Sequence, residues 1–375
     1  MNIAHLTYDM RIGGTEQVIV SLIQGMRDTS ITHSIICIEA PLGPFAEQLQ
    51  SQGINITGFA RKEGFDWRLI NQIRQHVQTE AIDILHCHQY TPWSYGVLAT
   101  IGLPTNVIFT EHGRFYPDIA SAKRRVINPV LSLFTDKITA ISKATKHALT
   151  EFEYLPSQRI EVIYNGIKPL TISIDEQAQI AALKHSLAIA PGDHVLGTIA
   201  RFDPIKNHEL MIQACAELNQ QGHPTTLVLV GDGPNRANIE ACIVRCNISD
   251  KVILTGYQTI PRLFFGLFDV FLLTSFSEGT SMTLLEALSL HKPVIVTNVG
   301  GNPEIVRNKI DGAIIANDDL SALVQAILSM NTGALPPDLT PDLTTNFTVA
   351  QMTRSYRKLY QSLCPASTNE CLDEH

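Results

Sequence analysis

Several features are missing from this 375-residue chain, and each absence narrows what it can do. No run approaches the ~18–20 consecutive apolar residues of a membrane-spanning helix, so no transmembrane segment is expected. Charged residues make up only 17% of the chain and the net charge is −8, which argues against a nucleic-acid partner. The cysteines Cys37, Cys87, Cys215, Cys242, Cys246, Cys364 and Cys371 form no Cys-x-x-Cys pair. Their odd number and scatter fit a reducing compartment rather than a disulfide framework. Cys242 and Cys246, one helical turn apart, read as packed thiols. The start, Met1-Asn2-Ile3-Ala4-His5, enters a strand directly without a signal-peptide pattern, so a cytoplasmic location is expected. No Gly-x-Gly-x-x-Gly follows the first strand, which weighs against a nicotinamide dehydrogenase. No Asp-x-Asp pattern is visible to carry a divalent ion, so no metal or other cofactor is expected.

What remains is a globular composition, 45% apolar, at a length that suits two domains. The chain alternates short apolar strands with helical patterns throughout. In the first half, strands are expected at 2–8, 33–39, 54–59, 82–88, 107–113, 137–142 and 160–167. Helices are expected in most of the gaps, among them 66–79 with Asp66 as its cap, but none is read between 88 and 107. A second series begins with the strand Val195–Arg201 and runs through Val270–Thr274 and Pro293–Thr297. Gly300-Gly301-Asn302-Pro303 reads as an exposed loop and 331–345 as a surface loop. The fold class is therefore α/β, with two successive Rossmann-like, doubly wound halves. The expected division is 1–170, 171–345, a last helix over 346–363 and a frayed tail over 364–375. Acidic and basic residues balance over the first 170 positions, so the net negative charge lies in the second half.

Three features of the first half stand out. Gly13-Gly14 follows the first strand, where glycine lets the backbone approach a ligand or simply shapes a tight turn. His86 and His88 share a strand face. With no third ligand nearby, a hydrogen-bonded strand-end pair is the plainer reading than a metal site. His112 ends another strand before a glycine, where a polar side chain can face a cleft or pack. Further on, Lys123, Arg124 and Arg125 precede an apolar helix over 121–135. That helix either packs on the sheet or offers a basic surface to an anionic acceptor or membrane lipid.

The stretch Glu278-Gly-Thr-Ser-Met-Thr-Leu-Leu-Glu286 is the most informative. Glu278 falls on a turn between the strand ending at Ser275 and a helix, and Glu286 is expected about two turns along that helix. Gly279, Thr280, Ser281 and Met282 open the helix. The amides of a helix start lack intrahelical partners and lie at the positive end of the dipole, a place for a phosphate. Two flanking carboxylates can accept hydrogen bonds from sugar hydroxyls. Arg201 and Lys206, five apart on a strand-end loop, can converge on a polyanion as a fork and a point charge. Gly231-Asp232-Gly233-Pro234 is a strand-end turn that could line a nucleotide or only turn the chain.

In their order and spacing, Gly13-Gly14-Thr15-Glu16, His112-Gly113, Arg201 with Lys206, Gly231-Asp232-Gly233-Pro234, the Glu278/Glu286 pair and Gly300-Gly301-Asn302-Pro303-Glu304 resemble glycosyltransferase family 4. The likeness spans about residues 2–362. It implies the GT-B architecture: two Rossmann-like domains facing across a cleft, with the last helix crossing back to the first. It implies a nucleotide-sugar donor, UDP-linked or GDP-linked, held mainly by the second domain. A glycan, polysaccharide or lipid-linked acceptor would lie on the first, with possible peripheral contact at the inner membrane face. By the resemblance, Glu286 holds the ribose, and Glu278 with the amides after it holds the donor sugar. Arg201 and Lys206 neutralise the leaving diphosphate, Gly14 approaches the phosphates and His112 contacts the reacting sugar. Anomeric configuration would be retained, by same-face attack. Two positions depart from the pattern: Asn207 stands where glycine is common after the lysine, and Ser281-Met282 stand where Phe-Gly is common. Neither removes a charge, but both bear on which sugar is taken. A nucleotide-sugar epimerase or phosphorylase-like enzyme of the same fold, and a non-catalytic nucleotide-sugar binder, are the competing readings.

Overall fold

A computed structural model of the chain describes residues 1–27, 31–113, 119–258, 260–330, 343 and 345–364. The loop expected over 331–345 falls almost wholly outside these residues, as does the tail beyond Cys364. The chain divides into two compact units: Met1 to Gly166 together with the C-terminal helix, and Ile167 to Thr348.

The first unit alternates strand and helix: β1 (Asn2–Thr7), α1 (Gly14–Gly25), β2 (Thr32–Cys37), α2 (Pro44–Ser51), β3 (Asn55–Gly58), α3 (Trp67–Thr79), β4 (Ile84–His88), α4 (Tyr90–Thr100), β5 (Asn106–Glu111), α5 (Ala122–Leu133), β6 (Lys137–Ala140), α6 (Lys143–Glu151) and β7 (Ile160–Val162). The seven strands pair in parallel in the order β3-β2-β1-β4-β5-β6-β7. The winding reverses between β1 and β4, and the C-terminal ends of those strands form the crevice where such sheets take ligands. Capping fixes where helices begin. Asp66 accepts from the amides of Arg68 and Leu69 at 3.0 and 3.3 Å, worth about 1 kcal/mol.

Helix α4 was not expected from the sequence. Pro92, Trp93, Tyr95, Gly96, Val97 and Ala99 are all buried, so it shows no one-sided periodicity. The C-terminal helix, Val349–Leu363, lies against α1. A side chain at Gly25 would come within 2.5 Å of Thr353 Cγ2, so glycine permits this approach. The helix buries Tyr356 and Tyr360 on the sheet, where their hydroxyls reach Thr110 and Thr139, and His86.

The second unit contains α7 (Ile174–Ser186), β8 (His194–Ile199), α8 (His208–Gln220), β9 (Thr225–Val230), α9 (Arg236–Arg245), β10 (Val252–Leu254), α10 (Arg262–Leu267), β11 (Val270–Leu273), α11 (Met282–Ser289), β12 (Val294–Thr297), α12 (Asn302–Ile305), β13 (Gly312–Ile315) and α13 (Leu320–Ser329). Its six strands are parallel in the order β10-β9-β8-β11-β12-β13, and the winding reverses between β8 and β11. The edge strand β13 was also unexpected.

Two expectations are corrected here. Gly300–Pro303 is not an exposed loop: Asn302 is fully buried, donates to the Thr297 carbonyl at 3.1 Å, and opens the short helix α12. Helix α11 begins only at Met282, with Ser281 as its cap, so Glu286 lies just over one turn in rather than two. Among the described residues no helix is long and apolar enough to cross a membrane.

Candidate active site

In the second unit, two loops leave the switch point side by side. The β8 loop carries Arg201 and Lys206, and the β11 loop carries Ser275 and Glu278. They are stitched together: the Phe276 amide donates to the Ile205 carbonyl at 2.8 Å, and the Thr274 hydroxyl donates to the Asn207 carbonyl at 2.9 Å. This brings Lys206 Nζ to 2.6 Å from Glu278 Oε1. Ser275 donates to the same oxygen at 2.5 Å. The lysine side chain keeps 24% of its surface exposed and the glutamate 8%, so the pair is sheltered yet reachable. Arg201 is exposed and has no carboxylate partner among the described residues. Ser275 was not anticipated; its only sequence signal is its place three residues before Glu278.

Glycines set this geometry. Gly300 has φ +51°, and a Cβ there would lie 1.7 Å from the Glu278 carbonyl oxygen. The following amide, Gly301, donates to the Gly279 carbonyl at 3.1 Å. The β12–α12 turn therefore holds the Glu278–Gly279 backbone from behind. Gly231 and Gly233 act similarly on the other loop. Side chains there would strike the Ala200 and Phe202 carbonyls, at 2.0 and 2.5 Å, so these glycines seat the backbone on both sides of Arg201. Asn207 has φ +48° and ψ +51°. Asparagine tolerates this left-handed conformation better than most residues, which accounts for its standing where glycine is common.

Beyond Glu278 the chain passes Gly279 and Thr280 to Ser281, whose hydroxyl accepts from the Leu284 amide at 3.3 Å. Helix geometry leaves the amides of Met282 and Thr283 without intrahelical partners at the positive end of α11. Glu286 is half-buried, and burial pushes its carboxyl up to about 7. A cavity of about 510 Å³ borders the 204–207 turn, lined by Asn207, His208, Asn235 and Asp318 among others, and neither Glu278 nor Glu286 lines it.

In the first unit, Gly14 opens α1, and a side chain there would meet nothing within 4 Å. Glu16, two residues on, is pushed up to about 7 by burial, with Asp9 adding to the shift. The histidines differ from expectation. His86 and His88 do not bond each other; their rings stand 4.1 Å apart. His86 bonds Tyr360 and Thr110. A third histidine is present after all: His5 lies with His86 and His88 close enough for all three to reach one ion. It escaped notice because strand pairing, not sequence, brings it there. The His5 and His88 nitrogens that face each other are 3.0 Å apart and share a hydrogen bond, which competes with an ion for the same lone pairs. His112 bonds His88 through Nε2 at 2.8 Å, while its Nδ1 is buried with no partner among the described residues. Burial pulls its ring down to about 3.

The basic helix also departs from expectation. In α5 the residues facing inward are Asn128, Leu131 and Ser132. Val126, Val130 and Leu133 face solvent, at 69%, 51% and 74% exposure. Asn128 takes the interior position by bonding Glu153 and the Tyr90 hydroxyl. Arg124 is committed to Glu153 at 2.9 Å, leaving Lys123 and Arg125 as the exposed members of the trio.

The family model described as Glycosyltransferase Family 4 matches residues 12–169, and that described as Glycosyl transferases group 1 matches residues 179–334. The chain thus belongs to the group 1 and family 4 glycosyltransferases, and its two Rossmann-like units are those of the GT-B fold. It is 25% identical over 271 residues to the N-acetyl-alpha-D-glucosaminyl L-malate synthase of Bacillus anthracis, covering 71% of this chain and 70% of that protein. It is 24% identical over 347 residues to an Escherichia coli UDP-Gal:alpha-D-GlcNAc-diphosphoundecaprenol alpha-1,3-galactosyltransferase, covering 88% and 87%. The Anabaena protein Alr3699/HepE, crystallised in complex with UDP, superposes with a TM-score of 0.81 at 20% identity, covering 96% of this chain and all of that one.

Proposed function

We propose that this glycosyltransferase moves a hexosyl or N-acetylhexosaminyl unit from a UDP-sugar to a glycan or lipid-linked acceptor, with retention of anomeric configuration. The observation that carries the reading is the Lys206–Glu278–Ser275 cluster at the β8/β11 switch point, beside exposed Arg201 and the start of α11. Departure of a nucleoside diphosphate leaves negative charge on phosphate. Fixed cations and helix-terminal amides stabilise such charge without reorganising. We assign Arg201 and Lys206 to the diphosphate, with the amides over Gly279–Met282. Gly231, Gly233 and Gly14 are assigned to the donor's surroundings. Glu278 and Glu286 accept from sugar and ribose hydroxyls, and His112 contributes a polar ring nitrogen. In the step itself, the anomeric C–O bond breaks with its electron pair going to phosphate. The acceptor oxygen bonds on the same face, and its proton passes to the departing phosphate oxygen.

A UDP donor is favoured by the UDP complex of the Anabaena neighbour and by the UDP-Gal donor in the name of the Escherichia coli relative. The same relative's acceptor is lipid-linked. The exposed apolar face of α5, flanked by Lys123 and Arg125, supports an acceptor of that kind and peripheral contact with an anionic membrane. The protein is then expected to cosediment with anionic but not neutral vesicles at low salt.

The deciding experiment is thermal unfolding with a panel of nucleoside diphosphates and their sugars, wild type beside Glu286→Ala. At ~100 times its dissociation constant a ligand stabilises by roughly 2.7 kcal/mol. A shift confined to uridine nucleotides and lost in the variant is the expected result; no shift with any nucleotide overturns the reading. Product analysis then separates transfer from epimerisation, and the anomeric coupling of the product tests retention.

A further inference from the structure

Four histidines of the first unit form a diagonal across its sheet. In the parallel register His5 of β1 pairs with His86 of β4, and His88 pairs with Thr110 of β5. His33 of β2 pairs with Ile3, two residues before His5. Each step from His33 to His5 to His88 to His112 therefore moves one strand across and two residues up. A two-residue step keeps side chains on one face. The rings meet in series: His33 Nδ1 to His5 Nε2 at 3.1 Å, His5 Nδ1 to His88 Nε2 at 3.0 Å, and His88 Nδ1 to His112 Nε2 at 2.8 Å. His5 and His88 are wholly buried. The far nitrogen of His112, Nδ1, is buried and has no partner among the described residues.

Burial, with the neighbouring rings adding to it, holds His5 and His88 well below the usual histidine range, and His112 lies low as well. His5, His88 and His112 are thus neutral rings, each with one N–H and one bare nitrogen. A neutral ring that donates on one side must accept on the other, so the links on either side of His5 and of His88 run the same way. His112 Nδ1 then carries a proton or is bare according to that direction.

We propose that His5 and His88 are positioning residues for His112: the diagonal ties which of its nitrogens carries the proton to the direction of the links beneath it, and so governs whether Nδ1 donates to a ligand or accepts from it. Other groups surround the series without joining it. His86, beside His5 and His88, is engaged by Thr110 and by Tyr360 of the C-terminal helix, whose Tyr356 also bonds Thr110. Glu111 accepts from the amides of His112 and Gly113, at 3.1 and 3.2 Å, and so faces the His112 backbone.

The functional meaning rests on the proposed role of His112 toward a sugar ligand, but the test needs no nucleotide, so the two can fail separately. Full-length protein labelled with 15N-histidine is read by long-range 1H–15N correlation and by N–N coupling through the hydrogen bonds. The expected wild-type result is three N–H···N links with the same polarity and a single defined tautomer at His112. His5→Phe keeps the ring volume, does not touch His112 and cuts the series one link away. It is expected to replace the two distinct His112 ring shifts by averaged ones. His86→Phe, equally buried but outside the series, is expected to leave them in place. Absence of N–N coupling in the wild type, which needs no variant to fold, overturns the proposal. So does an unchanged His112 in His5→Phe, or an equal effect from His86→Phe.

Discussion

Glu286 offers a prediction in which stability and binding pull apart. Its carboxyl is pushed up to about 7 by burial at the start of α11. An ordinary glutamate in the unfolded chain ionises near 4.3. Between these values the folded state holds a proton that the unfolded state has lost, so stability falls as pH rises through that window. The shift corresponds to at most roughly 4 kcal/mol at pH 8, since each unit is worth about 1.4 kcal/mol. Glu286→Gln keeps the shape and removes the titration. It is expected to be nearly neutral at pH 4.5 and stabilising at pH 8, by up to roughly 8–16 °C for a unit of this size. Glu16 titrates in the same window in the first unit and stays in both proteins, so only the difference between them is read. The assay is thermal unfolding by far-UV circular dichroism at the two pH values. The same variant is expected to bind a nucleoside diphosphate more weakly, because a neutral amide is a poorer acceptor for ribose hydroxyls than a carboxylate. A variant equally stable or less stable at pH 8, with nucleotide affinity unchanged, refutes both the burial argument and the ribose role.

Other perturbations give equally definite outcomes. Lys206→Met leaves Glu278 sheltered without its cation. It should cost roughly 2–3 kcal/mol, and a double-mutant cycle with Glu278→Gln should show coupling of at least about 1 kcal/mol. Gly300→Ala meets both a left-handed backbone and the Glu278 carbonyl, so a loss of more than about 1–2 kcal/mol is expected by denaturant titration. Asn207→Gly should be tolerated to within about 0.5 kcal/mol, whereas Asn207→Val should lose about 1–2 kcal/mol through the same left-handed geometry. Trp67 is 70% exposed and Trp93 is wholly buried, so acrylamide should quench only part of the native emission, and Trp67→Phe should abolish that part.

The switch-point loops of the second unit were legible because their signals are local. An apolar run stops at Ser275, an acid and small residues follow, and a helical pattern resumes. Where the decisive partner lay across the fold, the reading stopped short. His5 joins His86 by strand register over some 80 positions, and nothing in either segment shows it. The direction of α5 was hidden for a related reason. Its apolar residues suggested an inward face, but Asn128 found buried partners in Glu153 and Tyr90 and took that face, turning Val126 and Leu133 outward. Helix α4 lacked a pattern because it is buried on nearly every side. Asn207 looked like a departure until its φ showed that it serves the same backbone geometry as glycine.

The two switch points share a topology and differ in electrostatics, and the difference follows from burial. In the second unit the β8 and β11 loops pair Lys206 with Glu278 at 2.6 Å and leave Arg201 exposed beside them. A loop of that kind can meet a diphosphate with fixed charge. In the first unit the corresponding side chains come from within β1, β2 and β4, where the sheet is covered by helices and by Tyr356 and Tyr360. Charge there would cost several kcal/mol per group unless paired. Histidine is the residue that can stay neutral, satisfy both ring nitrogens and still pass a proton. A carboxylate or lysine put in place of His88 would need a counter-charge on an adjacent strand. Alternating His86 and His88 on one strand face, with His5 beside them, builds a polar core without asking for one. His88→Asp is accordingly expected to destabilise the first unit far more than His88→Asn, and the gap should narrow as pH falls and the aspartate takes up a proton. A gap that is constant from pH 4 to pH 8 in thermal unfolding, followed through Trp93, contradicts this account of why the site is built from neutral rings.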